Sequence, residues 1–266
     1  MQQPALFEYV LRIADDSLIL GQRLGEWCGH GPILEEDIAM TNIALDLIGQ
    51  SISLYDFAAE LEGTGKNHDQ LAYLRYENEY KNILLVEQPN GDFAMTILRQ
   101  FFFDAFRLPF YEALMQSPVA QLAAVAAKSV KETRYHLKHT SEWVIRMGDG
   151  TDESHQRAQA AIDHLWRYTN ELFYENEVDQ TLQAEGKVPA LSAIRTQWLS
   201  TVTNVLSEAN FRYQPTTGNS MAEEKVDIQS TWAISFLICS TCSALIQIWN
   251  GKCCRHSQLL RRSQRP

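Results

Sequence analysis

The chain has 266 residues, a hydrophobic content of 45% and a formal net charge of −10 at neutral pH. This length allows one large domain or two small ones, and the hydrophobic content is typical of a globular protein. The acidic balance disfavours nucleic acid as a partner, because phosphate backbones are bound by basic surfaces.

The amino terminus and the cysteines bear on the compartment. Residues 1–4 contain no basic stretch followed by an apolar one, so we expect no signal peptide. Among the 5 cysteines, Cys28 alone precedes residue 228, which suits a reducing compartment. We therefore predict a cytoplasmic protein with no membrane partner.

Four long segments carry mostly apolar residues at alternating spacings of three and four residues. This pattern predicts four helices, each with one buried stripe. The first stripe comprises Val10, Ile13, Ser17, Leu20, Leu24 and Trp27, and the second comprises Met40, Ile43, Leu47, Gln50 and Leu54. The third comprises Ile97, Phe101, Asp104, Leu108 and Tyr111, and the fourth comprises Leu122, Ala126, Ser129, Thr133, His136, Thr140 and Trp143.

Shorter helices are predicted near 69–84, 153–175 and 190–209, and glycine- or proline-containing turns separate the segments. No period-2 strand pattern of useful length is found. The sequence therefore predicts an all-α protein. Its fold would be an antiparallel bundle of four long helices with extra helices, over about residues 5–210.

Each long stripe is apolar at its ends and polar near its middle. The polar residues at these middle positions are Ser17, Gln50, Asp104, Thr133 and His136. Polar groups in one buried layer must hydrogen-bond one another or bind a ligand, so a structural network and a metal site are both open. A di-iron centre uses several carboxylates, and this layer offers only Asp104, which disfavours tight iron binding.

Five segments of the chain have distinctive residue patterns: QRLGEWCGH at 22–30, NIALDLIGQ at 42–50, LLVEQPNGDFA at 84–94, KETRYH at 131–136 and LWRYT at 165–169. Together they closely resemble the family of structural, non-catalytic C subunits of bacterial phenylacetyl-CoA epoxidase. The resemblance covers about residues 5–214. Its most specific motif is Glu-Gln-Pro-Asn-Gly at 87–91.

This resemblance implies a ferritin-like fold related to the catalytic di-iron subunit of the same enzyme. That paralogue binds iron through a helix-one Glu, two Glu-x-x-His pairs and a third-helix carboxylate. The corresponding positions here are Ser17, Leu47, Gln50, Asp104, Thr133 and His136. Only Asp104 and His136 keep ligand-type side chains, so the resemblance implies an incomplete, vestigial site and no metal bound by this chain.

The function implied by the resemblance is that of a non-catalytic structural subunit. It would bind and stabilise the di-iron catalytic subunit, with other epoxidase subunits as further partners, in aerobic phenylacetate degradation. The implied reaction adds one oxygen atom of O2 across the ring of phenylacetyl-CoA. Electrons would come from NADPH through a separate reductase that holds FAD and an iron–sulfur cluster. We expect no cofactor and no catalytic residue in this chain, and a homo-oligomer remains open.

Two other functions remain open at this point. An autonomous metal-dependent oxygenase would combine Asp104 and His136 with ligands such as Glu132 or Asp46. Each of these two acids is adjacent in sequence to a ligand position and so points about 100° away around its helix. A tail-anchored membrane adaptor would use the uncharged run 228–251, which reaches the ~20 residues needed to span a bilayer but is rich in Ser, Thr, Gln and Asn.

Residues 215–266 depart from the family, which is expected to end in a Gly-Gly-Lys-rich turn and an amphipathic helix. Cys239, Cys242, Cys253 and Cys254 suggest zinc, but adjacent cysteines suit tetrahedral coordination poorly. Codons can be chosen for 221–243 so that the third-base reading frame encodes the expected turn and helix. We therefore interpret 1–214 as the bundle domain and 215–266 as an atypical, non-native tail caused by a frameshift near Ser220.

Overall fold

The computed structural model describes residues 3–213. The interpretations of the tail as a frameshifted segment, a zinc site or a membrane anchor fall on residues 214–266 and lie outside the described residues. Within 3–213, no helix combines the length and the apolar character needed to cross a bilayer.

The described part of the chain is helical and contains no strand. In chain order its helices are α1 (Pro4–Gly25), α2 (Leu34–Glu62), α3 (His68–Tyr73), α4 (Leu84–Glu87), α5 (Phe93–Leu114), α6 (Ala120–Asp149), α7 (Asp152–Leu165), α8 (Glu177–Ala184) and α9 (Leu191–Glu208), with 3-10 turns at Glu77–Glu79 and Trp166–Phe173. The long helices α1, α2, α5 and α6 contain the four predicted stripes, except that Trp27 lies just beyond α1. The all-α, ferritin-like bundle predicted from the sequence is confirmed.

The bundle pairs α1 with α2 and α5 with α6, while α7 and α9 cover the outer side of α5. Close packing of the first pair depends on Gly21, where an added Cβ would lie 3.1 Å from Ile48 Cγ1 and 3.2 Å from the Ala44 carbonyl oxygen. A larger residue at position 21 would therefore push α1 away from α2.

Local sequence signals explain where several helices begin and end. Asp92 precedes α5, and its carboxylate accepts a hydrogen bond from the Met95 amide at 2.9 Å. Gly63 ends α2 at φ +66°, a left-handed conformation that glycine adopts without steric cost. These caps satisfy amide and carbonyl groups that the helix termini would otherwise leave unpaired.

The prediction of a single helix near 69–84 is wrong. The chain forms α3, a 3-10 turn and α4, joined by extended residues. Two acids of α1 account for this path: Asp15 accepts a hydrogen bond from the Lys81 amide at 2.8 Å, and Asp16 accepts one from the Ile83 amide at 2.9 Å. Carboxylates of another helix thus replace the carbonyl partners that a continuous helix would have supplied.

Of the two later helices predicted from the sequence, one needs adjustment and the other is confirmed. The helix expected over 153–175 is regular only to Leu165 and continues as a 3-10 turn to Phe173. The helix expected over 190–209 corresponds to α9. The short helix α8 was missed, although Asn176 and Asp179 form a capping box that marks its start.

Candidate functional site

The polar residues at the middle of the four stripes lie inside the bundle. Ser17, Gln50, Asp104, Thr133 and His136, which we call the polar layer, are each at most 2% exposed. They come from α1, α2, α5 and α6. Leu47, at the sixth position that corresponds to an iron ligand in the catalytic paralogue, is also buried.

Asp104 is the carboxylate at the centre of α5. Burial raises its pKa from 3.8 to about 7, against the lowering effects of His136 and of the hydrogen bond from Gln100. Gln100 Nε2 donates to Asp104 Oδ1 at 2.7 Å, while Asp104 Oδ2 has no hydrogen-bond partner among residues 3–213. Burial therefore favours the neutral form of this carboxyl group over the charged form.

His136 is the second ligand-type residue of the layer. Its Nε2 lies 2.9 Å from Asp46 Oδ2, and Asp46 has 39% of its side chain exposed. The other ring nitrogen, Nδ1, is buried and has no partner in the described part of the chain. His136 thus connects the interior of the bundle to the groove between α6 and α2.

Gln50 of α2 links its helix to both α5 and α6. Its Oε1 accepts a hydrogen bond from the Tyr111 hydroxyl at 3.1 Å, and its Nε2 donates to Glu132 Oε2 at 2.9 Å. Ser17 instead donates to the Ile13 carbonyl of its own helix at 3.1 Å. An amide and a hydroxyl therefore form structural hydrogen bonds at two of the six aligned positions.

The contacts of the layer differ from the sequence-based expectation in one respect. Asp104, His136, Gln50 and Thr133 are all buried, but the direct hydrogen bonds of the first three run to other residues. Asp46 and Glu132, which helical geometry placed about 100° from the ligand positions, both contact the layer. Because α2 and α6 are neighbours, a side chain at the edge of one helix reaches a layer residue of the other.

The six aligned positions offer fewer carboxylates than a di-iron centre uses. At the six aligned positions, Asp104 supplies the one carboxylate and His136 the one imidazole. Two iron ions need more negative charge than a single buried carboxyl group provides. Within the described residues, no group of three or more His, Cys, Asp or Glu side chains is arranged to hold a metal ion.

The raised pKa of Asp104 predicts a pH-dependent stability. The native carboxyl group binds its proton more tightly than the unfolded one. Its contribution to the free energy of unfolding is therefore most favourable below about pH 4 and declines as the pH rises toward 7. Asp104→Asn keeps the shape without the charge. The free energy of unfolding of the variant, minus that of the native chain, should be larger at pH 8 than at pH 5 by on the order of 2 kcal/mol.

Urea unfolding of both chains at these two pH values measures the difference. Asp149→Asn is the matched control, because Asp149 is an exposed residue of the same bundle. An Asp104→Asn chain whose stability relative to the native chain is the same at both pH values would contradict the prediction.

A second cluster of buried charges surrounds Asp15 and Asp16 on α1, and sequence reasoning missed it. Asp16 accepts a hydrogen bond from Arg107 at 2.9 Å, and Arg12 forms a two-pronged ion pair with Asp179 at 2.8 and 3.0 Å. Arg12, Asp16, Arg107 and Asp179 line a cavity of about 90 Å³. Two adjacent aspartates at the centre of a largely buried helix were the available signal.

The Glu-Gln-Pro-Asn-Gly segment is held by buried arginines. Arg99 of α5 is fully buried and donates to the Gln88 carbonyl and, at 2.6 Å, to Asn90 Oδ1. Arg23 of α1 donates to the Glu87 carbonyl at 3.1 Å, and Asn90 returns a hydrogen bond to the Arg23 carbonyl at 2.7 Å. The motif therefore ties the end of α1 to the start of α5.

Comparison with known proteins agrees with this architecture. A profile described as phenylacetic acid catabolic protein matches residues 1–227. The chain is 49% identical over 204 residues to the C subunit of 1,2-phenylacetyl-CoA epoxidase from Escherichia coli strain K12. The alignment covers 77% of this chain and 82% of that protein.

Proposed function

Since this chain belongs to the phenylacetic acid catabolic protein family, we propose that it is a non-catalytic subunit of a phenylacetyl-CoA epoxidase. Its role is to bind and stabilise the di-iron catalytic subunit. The similarity to a protein named as one subunit of such an epoxidase supports membership of a multi-subunit enzyme. The finer assignment, to a supporting role, rests on the polar layer.

The observation that carries the proposal is the donor set at the centre of the bundle. Leu47 is apolar, while Ser17, Gln50 and Thr133 are neutral, at positions where the catalytic paralogue is expected to hold ligands. Gln50 is hydrogen-bonded to Tyr111 and Glu132 on two other helices. A bundle that keeps its packing and fills its ligand positions with neutral groups is suited to an interface rather than to oxygen activation.

In this proposal the chain itself binds no cofactor. The di-iron centre belongs to the partner subunit, and NADPH, FAD and the iron–sulfur cluster belong to the reductase. The complex acts in the cytoplasm on phenylacetyl-CoA. The contribution of this chain is to keep the partner's bundle folded and soluble by covering apolar surface.

Co-expression with the di-iron catalytic subunit tests the proposal. We expect the two chains to co-elute in size-exclusion chromatography, with iron in the complex and substoichiometric iron in this chain alone. The catalytic subunit expressed by itself should be poorly soluble or inactive, because its interface is then exposed to solvent.

The competing function is an autonomous metal-dependent oxygenase. One observation favours it: the two alternative ligands contact the polar layer, Asp46 at His136 and Glu132 at Gln50. Stoichiometric iron in the isolated chain that is lost in Asp104→Ala would favour this alternative. So would epoxidation of phenylacetyl-CoA by this chain with the reductase alone, and either result would overturn the supporting role.

A further inference from the structure

Helix α2 is apolar on two opposite sides. Its inner side contributes Met40, Ile43, Leu47 and Leu54 to the core. Its outer side carries what we call the outer α2 stripe, which comprises Leu34, Ile38, Leu45 and Ile52. The spacings of four, seven and seven residues align these side chains on one helix face about 27 Å long.

The outer α2 stripe is accessible to solvent in this chain. Leu34 is 72% exposed and Ile38 is 52% exposed, while Leu45 and Ile52 are partly exposed. A helix with apolar residues on both faces is typical of one that is covered on both faces. An apolar stripe whose amino-terminal end is this exposed indicates a surface that another protein covers.

Gly49 provides an independent observation on the same face. It lies one turn after Leu45, and an added Cβ would meet nothing closer than Lys128 Nζ at 3.9 Å. Packing within this chain thus does not need a glycine there, in contrast to Gly21. Glycine inside a helix destabilises it relative to alanine, so its presence indicates close approach by a backbone from outside.

We propose that the outer α2 stripe is the surface on which a helix of the di-iron catalytic subunit packs, crossing α2 close to Gly49. This inference rests on the proposed function and adds to it the face that forms the interface. The partner helix presents an apolar seam, and its backbone approaches α2 where the glycine leaves room.

The charges around the stripe favour this occupant over a second copy of the chain. The net charge of −10 opposes self-association. In an antiparallel pair of α2 helices crossing at Gly49, residues equally distant from the crossing would face each other, so Ile38 would meet the exposed Glu60 of the other copy. Apolar surface would then be buried against a carboxylate, which is unfavourable.

The same charges specify the partner further. The exposed carboxylates of Asp56 and Glu60 follow the stripe toward the end of α2, and Asp46 lies beside it in the groove to α6. A partner helix that carries lysine or arginine beside its apolar seam would complement this rim.

Three substitutions in the full chain test the inference by pull-down with the co-expressed catalytic subunit. Ile38→Asp places a charge on the stripe and should weaken binding at least about tenfold. Leu199→Asp is the matched control, because Leu199 is a 37% exposed leucine on the outer helix α9, and it should bind as the native chain does.

Gly49→Ala separates an interface role from a role in folding. Alanine should raise the melting temperature of the isolated chain, because it favours the helix, and should still weaken the complex about tenfold by blocking the close approach. A purely structural glycine would move both quantities in the same direction.

The outcomes distinguish the inference from the proposed function. If Ile38→Asp and Gly49→Ala bind the catalytic subunit as well as the native chain does, the outer α2 stripe is not the interface, and the proposed function stands. If the native chain does not bind the catalytic subunit, both fail. If the native chain forms a dimer that Ile38→Asp dissociates while binding to the catalytic subunit is unchanged, the occupant is a second copy and the inference is overturned.

Discussion

Replacing Arg99 with methionine is expected to lower the free energy of unfolding by about 3 kcal/mol or more. Arg99 is fully buried and holds the Gln88 carbonyl and the Asn90 side chain. Methionine fills part of the volume and donates no hydrogen bond. Two partly buried acceptors would therefore lose their partners, and the Glu-Gln-Pro-Asn-Gly segment would lose its attachment to α5.

Urea unfolding followed by circular dichroism measures this loss. The matched control is Arg134→Met, because Arg134 is 61% exposed and forms an ion pair with Glu112 at 2.8 Å on the surface. Exposed pairs contribute about 0–1 kcal/mol, so the control should change stability little. Equal effects of the two substitutions would show that the buried arginine has no special role in this fold.

Asp15→Ala is the second substitution with a large expected effect, a loss of about 3–5 kcal/mol. Asp15 is fully buried and accepts hydrogen bonds from Tyr55 at 2.6 Å, from Arg75 and from the Lys81 amide at 2.8 Å. Removing the carboxylate leaves a buried guanidinium, a hydroxyl and an amide without their acceptor. The residues between α3 and α4 would also detach from α1.

Two measurements check this expectation. Chemical unfolding gives the stability, and limited proteolysis should cleave between residues 74 and 84 faster in the variant than in the native chain. Asp56→Ala, on the exposed end of α2, is the control, because the Asp56 side chain is 55% exposed and pairs with the surface residue His68. Unchanged cleavage in Asp15→Ala would mean that contacts other than Asp15 hold this segment.

The long helices could be predicted from the sequence because each has a periodic apolar stripe, and periodicity is a local property. The stripes also placed Ser17, Gln50, Asp104, Thr133 and His136 inside the bundle, where the structure has them. The course of residues 74–84 could not be predicted in this way. Its amides bond to Asp15 and Asp16, which lie more than sixty residues earlier in the chain.

The same distinction applies to the candidate site. The sequence by itself determined the fold class, the family and the residue types at the six aligned positions, because each of these depends on residue identity and short-range spacing. Only the tertiary structure decided which partners those residues have. Asp46 reaches His136 across 90 residues, and Glu132 reaches Gln50 across 82, because α2 and α6 lie side by side. Which helices lie side by side depends on the packing of the whole bundle. It therefore cannot be predicted from the residue pattern within one helix.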